Sequence, residues 1–311
     1  MTDRLPDHDP TDPAETAVIR GLVRSWPRRA TVRRDEPQLD GPTMEELFDP
    51  QRTDFPEEML PIRGHPRYEA LDEAARRRIN SWAWIAYNKN VMDIEQSVVT
   101  PGFGVLFRDA LGTGFSDAAR AAVMQALVDE EYHTLMHLNG SALVRRRREW
   151  SLPDRALPDS LMVRKYRAAT SSLPEGREAA LVALGFSTVA ETSIGEYLSV
   201  ISADPNVQPV NRATVSLHRR DETAHSSVAG EMVRLVHDRL NAEDRAVLRR
   251  SLHGAVDAFT ATDFGVWSAI LAAEEVPDGD EMLRECAEDP TRRRFVQDCG
   301  ATDRLIAEFD D

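Results

Sequence analysis

The chain has 311 residues and a mass of 34.8 kDa, enough for one large domain with a substantial core. Its net charge of −15, from 38 basic and 53 acidic residues, argues against the clustered positive charge that a nucleic-acid or anionic-membrane partner requires. No run of about 18 apolar residues predicts a membrane span, and two cysteines, Cys286 and Cys299, exclude a disulfide framework and point to a reducing cytoplasm.

Residues 1–14, with Pro6, Pro10 and Pro13 and no periodic pattern, read as a disordered tail lacking the basic and apolar regions of a secretory signal. Residues 15–311 read as a single domain. Val18, Ile19, Leu22 and Val23 recur at helical spacing, and Pro27 is expected to end that helix after Trp26. Arg29 to Pro61 reads as loop with short turns. A long helix is expected from about Pro66 to Val99, stopped by Pro101-Gly102, with Trp84, Asn88, Val91, Glu95 and Val98 on one face.

Ser116-Asp117 caps a second long helix that runs to about Trp150 through Val123, Leu127, Glu130, Leu135 and Leu138. The run Arg145 to Arg148 at its end reads as cations favoured at a helix C-terminus, not as a phosphate site. A short helix at Ser160 to Ala169 precedes long helices at Glu175 to Ile201 and Val210 to Leu240, separated by Asp204-Pro205-Asn206. Glu243 to Leu271 is expected as a single fifth helix, with shorter helices after it. No alternating strand pattern occurs, so the predicted class is all-α.

The chemistry is concentrated on these helices. His218, Glu222 and His225 stand at i, i+4 and i+7, which places all three on one helical stripe. Glu130 and His133 form a second Glu-x-x-His, one turn apart. Two Glu-x-x-His motifs plus a lone Glu on each of two other helices is the ligand rule of dinuclear carboxylate bundles. Glu95 and Glu191 supply the lone carboxylates, 35 residues before Glu130 and 31 before Glu222, each gap fitting a helix, a turn and a return helix.

The expected architecture is therefore a ferritin-like four-helix bundle core with additional N- and C-terminal helices. The apolar run Ala179 to Phe186 and Val189-Ala190 before Glu191 speaks against solvated carboxylates. Without metal, four inward carboxylates would carry a large desolvation and repulsion penalty. Four carboxylates balance two dications. Mixed carboxylate and imidazole donors suit iron, with manganese the second choice, better than structural zinc. His218 is expected as a third imidazole ligand and His137 as a core or supporting residue. Asp129 and Asp221, each beside a ligand Glu, are expected to accept hydrogen bonds that hold ligand imidazoles.

The segments Leu22 to Arg29, Trp84 to Asn88, Glu95-Gln96, Val128 to Glu130 with His133-Thr134, Val189 to Thr192 and Leu217 to His225 together resemble the ferritin-like di-iron arylamine N-oxygenases. The likeness spans roughly residues 18 to 300. It implies iron ligands at Glu95, Glu130, His133, Glu191, His218, Glu222 and His225, O2 as co-substrate, and oxidation of a primary amine through hydroxylamine towards a nitroso or nitro product in secondary metabolism such as antibiotic biosynthesis. No flavin or dinucleotide glycine fingerprint is present, so electrons are expected from an external ferredoxin or reductase-type donor or a chemical reductant.

The expected partners are a small-molecule amine and a second copy in a homodimer, with no nucleic acid and no membrane. Where the p-aminobenzoate enzymes place an Arg five residues before the first ligand Glu, this chain has Asn90, which favours an amine without a carboxylate; on an ideal helix Asn90 reaches the Glu95 face only through a local bulge. Tyr87, Val91 and Tyr197 are the other expected cavity residues. The competing readings are another di-iron oxidase or hydroxylase, such as a ribonucleotide reductase small subunit or a desaturase, and a non-catalytic iron-binding bundle. His137 stands where a radical-bearing subunit would carry a Tyr, and the extra helices suggest a covered cavity that a storage bundle would not need.

Overall fold

The computed structural model describes residues 16–36, 39, 41–294 and 299–310; the expected tail at 1–14 lies outside them. Four long helices form the core. They are preceded by α1 (Ala17–Arg29) and begin with α2 (Glu73–Ile94), which Asp72 caps by accepting from Ala75 N–H. One π-helical turn, Glu95–Val99, carries α2 into α3 (Thr100–Phe107). The long α4 (Asp117–Arg148) starts at the Ser116 cap and is followed by α5 (Leu161–Thr170), α6 (Arg177–Ala203) and α7 (Pro209–Arg239). The chain closes with α8 (Ala242–Thr260), α9 (Phe264–Ala273), α10 (Gly279–Glu288) and α11 (Gly300–Asp310).

In the bundle α2 packs on α4, α4 on α7, α7 on α6, and α6 on the π turn, while α1 lies across α4 and α7 and α8 covers α6. No strand occurs among the described residues; Thr53–Val207 and Ala261–Arg294 are isolated bridges. The all-α bundle expected from the periodicities is present.

Four boundaries differ from the sequence reading. The first helix runs through Pro27 to Arg29, because a proline in the last turn removes only one ladder bond and Ala30 N–H still reaches Trp26 O. The Pro66 to Val99 helix is split before Asp72 and then passes Pro101-Gly102. The π turn, in which Thr100 N–H reaches Glu95 O, ends just before the proline that lacks a donor, and Phe103, Val105 and Leu106 bury the continuation. The single fifth helix is two, because Asp263 caps α9 by accepting from Gly265 and Val266 N–H, while Thr262 bonds to Arg292 and Arg293 carbonyls. Leu135 and Leu138 point outward on α4, 47% and 46% exposed, in line with Met124 and Val128.

Arg145 to Arg148 does end a helix, and it also clamps the segment before α2, which includes a short helix at Gly41–Glu46. Arg148 forks onto both Asp54 oxygens at 3.1 Å, Arg146 pairs with Glu45 at 2.7 Å, and Arg147 donates to Glu45 O. Gly102 lets α3 approach α6. A Cβ there would collide with the Ser187 side chain and come within 2.8 Å of Ala183 O. Gly102→Ala is expected to destabilise the fold by roughly 1–3 kcal/mol, read as a lowered calorimetric Tm; an unchanged Tm would contradict this packing.

Candidate metal centre

The seven predicted donors meet inside the bundle. Glu95 is the first residue of the π turn, Glu130 and His133 come from α4, Glu191 from α6, and His218, Glu222 and His225 from α7; none is more than 3% exposed. Their donor atoms fall into two groups, each within 4.8 Å: Glu95, Glu130, His133, His218 and Glu222, and Glu130, Glu191, Glu222 and His225. Glu130 and Glu222 belong to both. His133 Nδ1 lies 2.8 Å from Glu130 Oε2, His225 Nδ1 2.5 Å from Glu130 Oε1, and His218 Nε2 3.0 Å from Glu222 Oε1.

Each imidazole has one nitrogen turned inward and the other held from behind. His225 Nε2 lies 3.0 Å from Asp129 Oδ2 and His133 Nε2 3.3 Å from Asp221 Oδ2. His218 is held by a chain that sequence reasoning did not assemble. Asn88 donates its Nδ2 to Trp84 O, leaving Oδ1 to accept from His137 Nδ1–H at 2.7 Å. His137 Nε2 lies 2.8 Å from His218 Nδ1, and His218 Nε2 faces the carboxylates. The signal was available: Asn88 shares the Glu95 face and His137 sits one turn beyond His133.

Burial, then the neighbouring Glu130, Glu191 and Glu222, push Glu95 well above the usual carboxylate range, and burial with Glu130 and Glu222 does the same to Glu191. Burial would also raise Glu130, but His225 and His133 hold it well below. Burial and Glu130 would raise Glu222, yet His225 and His218 keep it low. Burial opposes charge on His133, but Glu130 and Asp221 raise it to about 10; His225, beside Glu130, Glu222 and Asp129, is raised well above its ordinary value. Burial, with His218 and His133, keeps His137 neutral.

The residues fit two cations. Glu95 Oε2, Glu191 Oε2 and Glu222 Oε2 are buried with no hydrogen-bond partner, and Glu130 Oε1 meets His225 Nδ1 without hydrogen-bond geometry. Unsatisfied carboxylate oxygens cost several kcal/mol each in a dry interior, a cost that cations would remove.

A cavity of about 120 Å³ reaches Glu95 and is lined by Tyr87, Asn90, Val91 and Tyr197 together with Ile94, Phe55 and Trp267. Asn90 shares this cavity with Glu95 although the bulge begins only at Glu95 itself. Sequence reasoning missed the remaining walls, from Leu157 to Met162 and from Ala258 to Trp267, because separate elements bring them in. The family model "P-aminobenzoate N-oxygenase AurF" matches residues 12–310. The chain belongs to this family. A 4-aminobenzoate N-oxygenase from Streptomyces thioluteus is 31% identical over 295 residues, covering 94% of this chain and 86% of that protein. The chain is thus an amine N-oxygenase, and its buried carboxylate and imidazole cluster is compatible with a di-iron site.

Proposed function

We propose that this family member uses O2 and two iron ions to oxidise a primary arylamine through hydroxylamine towards a nitroso or nitro product. The observation that carries the reading is the pair of overlapping donor groups sharing Glu130 and Glu222. In this reading Glu130 and Glu222 would serve both positions, with Glu95, His133 and His218 holding one ion and Glu191 and His225 the other. Bound iron would supply O2 activation and the redox change; manganese suits the same donors but is less suited to that chemistry. The first step balances as amine, O2, two electrons and two protons giving hydroxylamine and water.

The chain's own residues position and protect. Asp129, Asp221 and His137 keep the imidazoles turned inward, and the apolar walls exclude water from the reacting nitrogen. Tyr87, Val91 and Tyr197 would confine the ring in a cavity comparable to one, roughly 150 Å³, that admits benzene. Among the described residues Lys89 is the only Lys or Arg lining it, and Asp93 holds that ammonium at 2.5 Å, with Asp159 at 3.7 Å. Asp263, in the same wall, is paired through Oδ1 with the Arg164 guanidinium at 2.9 Å, which occupies that cation as well. A substrate carboxylate finds no available cation beside Asn90. We expect kcat/KM for 4-aminobenzamide to exceed that for 4-aminobenzoate by at least about 10-fold, since a desolvated charge left unpaired costs more than 1.4 kcal/mol; the reverse order would overturn this specificity.

Anaerobic loading with Fe(II), metal analysis and exposure to ¹⁸O2 with an arylamine panel test the function. Label on nitrogen supports it, whereas iron mineralisation without product supports a storage bundle. The buried thiols of Cys286 and Cys299, which form no disulfide, suit a cytoplasmic setting. The exposed stripe Met124, Val128, Leu135 and Leu138 on α4 supports a homodimer, which light scattering of the purified protein would test.

A further inference from the structure

The end of α1 carries features that the chemistry above leaves unused. Each N-oxygenation consumes two electrons from outside, yet every cluster residue is buried. Electron transfer weakens steeply with distance and is faster along covalent and hydrogen bonds than across gaps. Three hydrogen-bonded chains lead away from the imidazoles. One runs from His218 through His137 and Asn88 to the buried Trp84, and another from His133 through Asp221 to the buried Thr31 N–H. The third runs from His225 Nε2 to Asp129 Oδ2 at 3.0 Å, and Trp26 Nε1–H donates to the Asp129 oxygens at 2.9 and 3.0 Å. Of the three, only this chain ends on a half-buried ring at the protein surface.

The surroundings of that ring are basic in a chain of net charge −15. Arg24, Arg28, Arg33 and Arg34 are exposed, and the Arg33 guanidinium stands 5.4 Å over the Trp26 ring. Arg29 lies 3.8 Å from Asp129 and 3.6 Å from Asp221. Among residues 24–36 the only acids are Asp35 and Glu36, and Glu36 is buried between Arg34 and Arg220 at 3.1 and 2.6 Å. An acidic carrier protein, repelled by most of this molecule, would be steered to this face.

We propose that this arginine face docks an acidic one-electron carrier of the plant-type [2Fe–2S] ferredoxin class, and that electrons pass from it through Trp26, Asp129 and His225 to the metals. The inference rests on the di-iron reading. Two reduced carriers are oxidised per N-oxygenation, each giving one electron, and the two protons come from water.

Docking is tested without turnover by titrating a plant-type [2Fe–2S] ferredoxin into the zinc-loaded protein. The native chain is expected to bind more weakly as salt rises, and Arg28→Glu with Arg33→Glu to raise Kd at least about 10-fold at low salt. A Kd that neither salt nor the double substitution moves overturns the docking. The route is tested by stopped-flow reduction of the diferric protein with the same ferredoxin. Trp26→Phe keeps a ring but removes the N–H donor, and is expected to slow reduction about 10-fold or more at an equal midpoint potential, measured by redox titration. Equal rates, or a loss accounted for by a shifted potential, leave Trp26 with only a structural role and overturn the route. Iron reduced through Trp26 in a protein that oxygenates no amine would sink the proposed function and leave this inference standing.

Discussion

Replacing Glu222 by alanine is expected to yield a folded chain that retains fewer than two metal ions and no measurable N-oxygenation. Glu222 belongs to both donor groups, and its Oε1 lies 3.0 Å from His218 Nε2, 3.3 Å from His225 Nδ1 and 3.5 Å from His133 Nδ1. Among the described residues, Glu130 alone is shared in the same way. Its loss therefore removes a donor from both positions at once, which should cost more than the roughly 10–100-fold that losing an outer partner costs. Asp129→Asn supplies that smaller effect for comparison, since it weakens the hold on His225 while leaving every inward donor in place. Glu131→Ala, exposed and next to Glu130 in the chain, controls for the loss of an acidic side chain from α4. Elemental analysis after anaerobic reconstitution decides the matter: two metal ions per chain in Glu222→Ala would refute its place in both donor groups.

The contrast between Glu222 and Glu95 shows what a sequence can reveal here. His218, Glu222 and His225 sit on unbroken α-helix, so their spacing alone brings them onto one stripe, and the same holds for Glu130 and His133. Glu95 opens a π turn, where spacing no longer converts to direction, and the Pro101-Gly102 pair that reads as a stop is instead carried inside the helix that continues from it. Leu135 and Leu138 have the residue type of a core face but not its position, since periodicity does not say which stripe the neighbouring helices will cover. The cavity walls from Leu157 to Met162 and Ala258 to Trp267, and the hydrogen bond from Trp26 across 103 residues to Asp129, depend on tertiary packing that no local pattern encodes.

Loading the metal-free protein with two divalent cations is expected to release close to four protons per chain near neutral pH. Without metal the imidazoles hold Glu130 and Glu222 low, while Glu95, Glu191, His133 and His225 are all raised, so these four are the groups expected to hold protons. Two dications need all four carboxylates ionised and the inward imidazole nitrogens free, so four positive charges arrive as four protons leave. The folded-state values of Glu95, Glu191, His133 and His225 all lie above their unfolded ones, so the metal-free fold binds extra protons and loses stability as pH rises. For His133 that window runs from about 6.5 to about 10. Metal affinity moves the other way, rising with pH as fewer protons have to be displaced. Each retained proton contributes roughly 1.4 kcal/mol per pH unit, so the gap in Tm between loaded and metal-free protein should widen steadily between about pH 6 and pH 9. Proton release is read by titrating metal into weakly buffered protein at constant pH, and the gap by calorimetry of both forms. Release near zero, or a gap that narrows as pH rises, would mean that the donors are not the buried, proton-holding set described above.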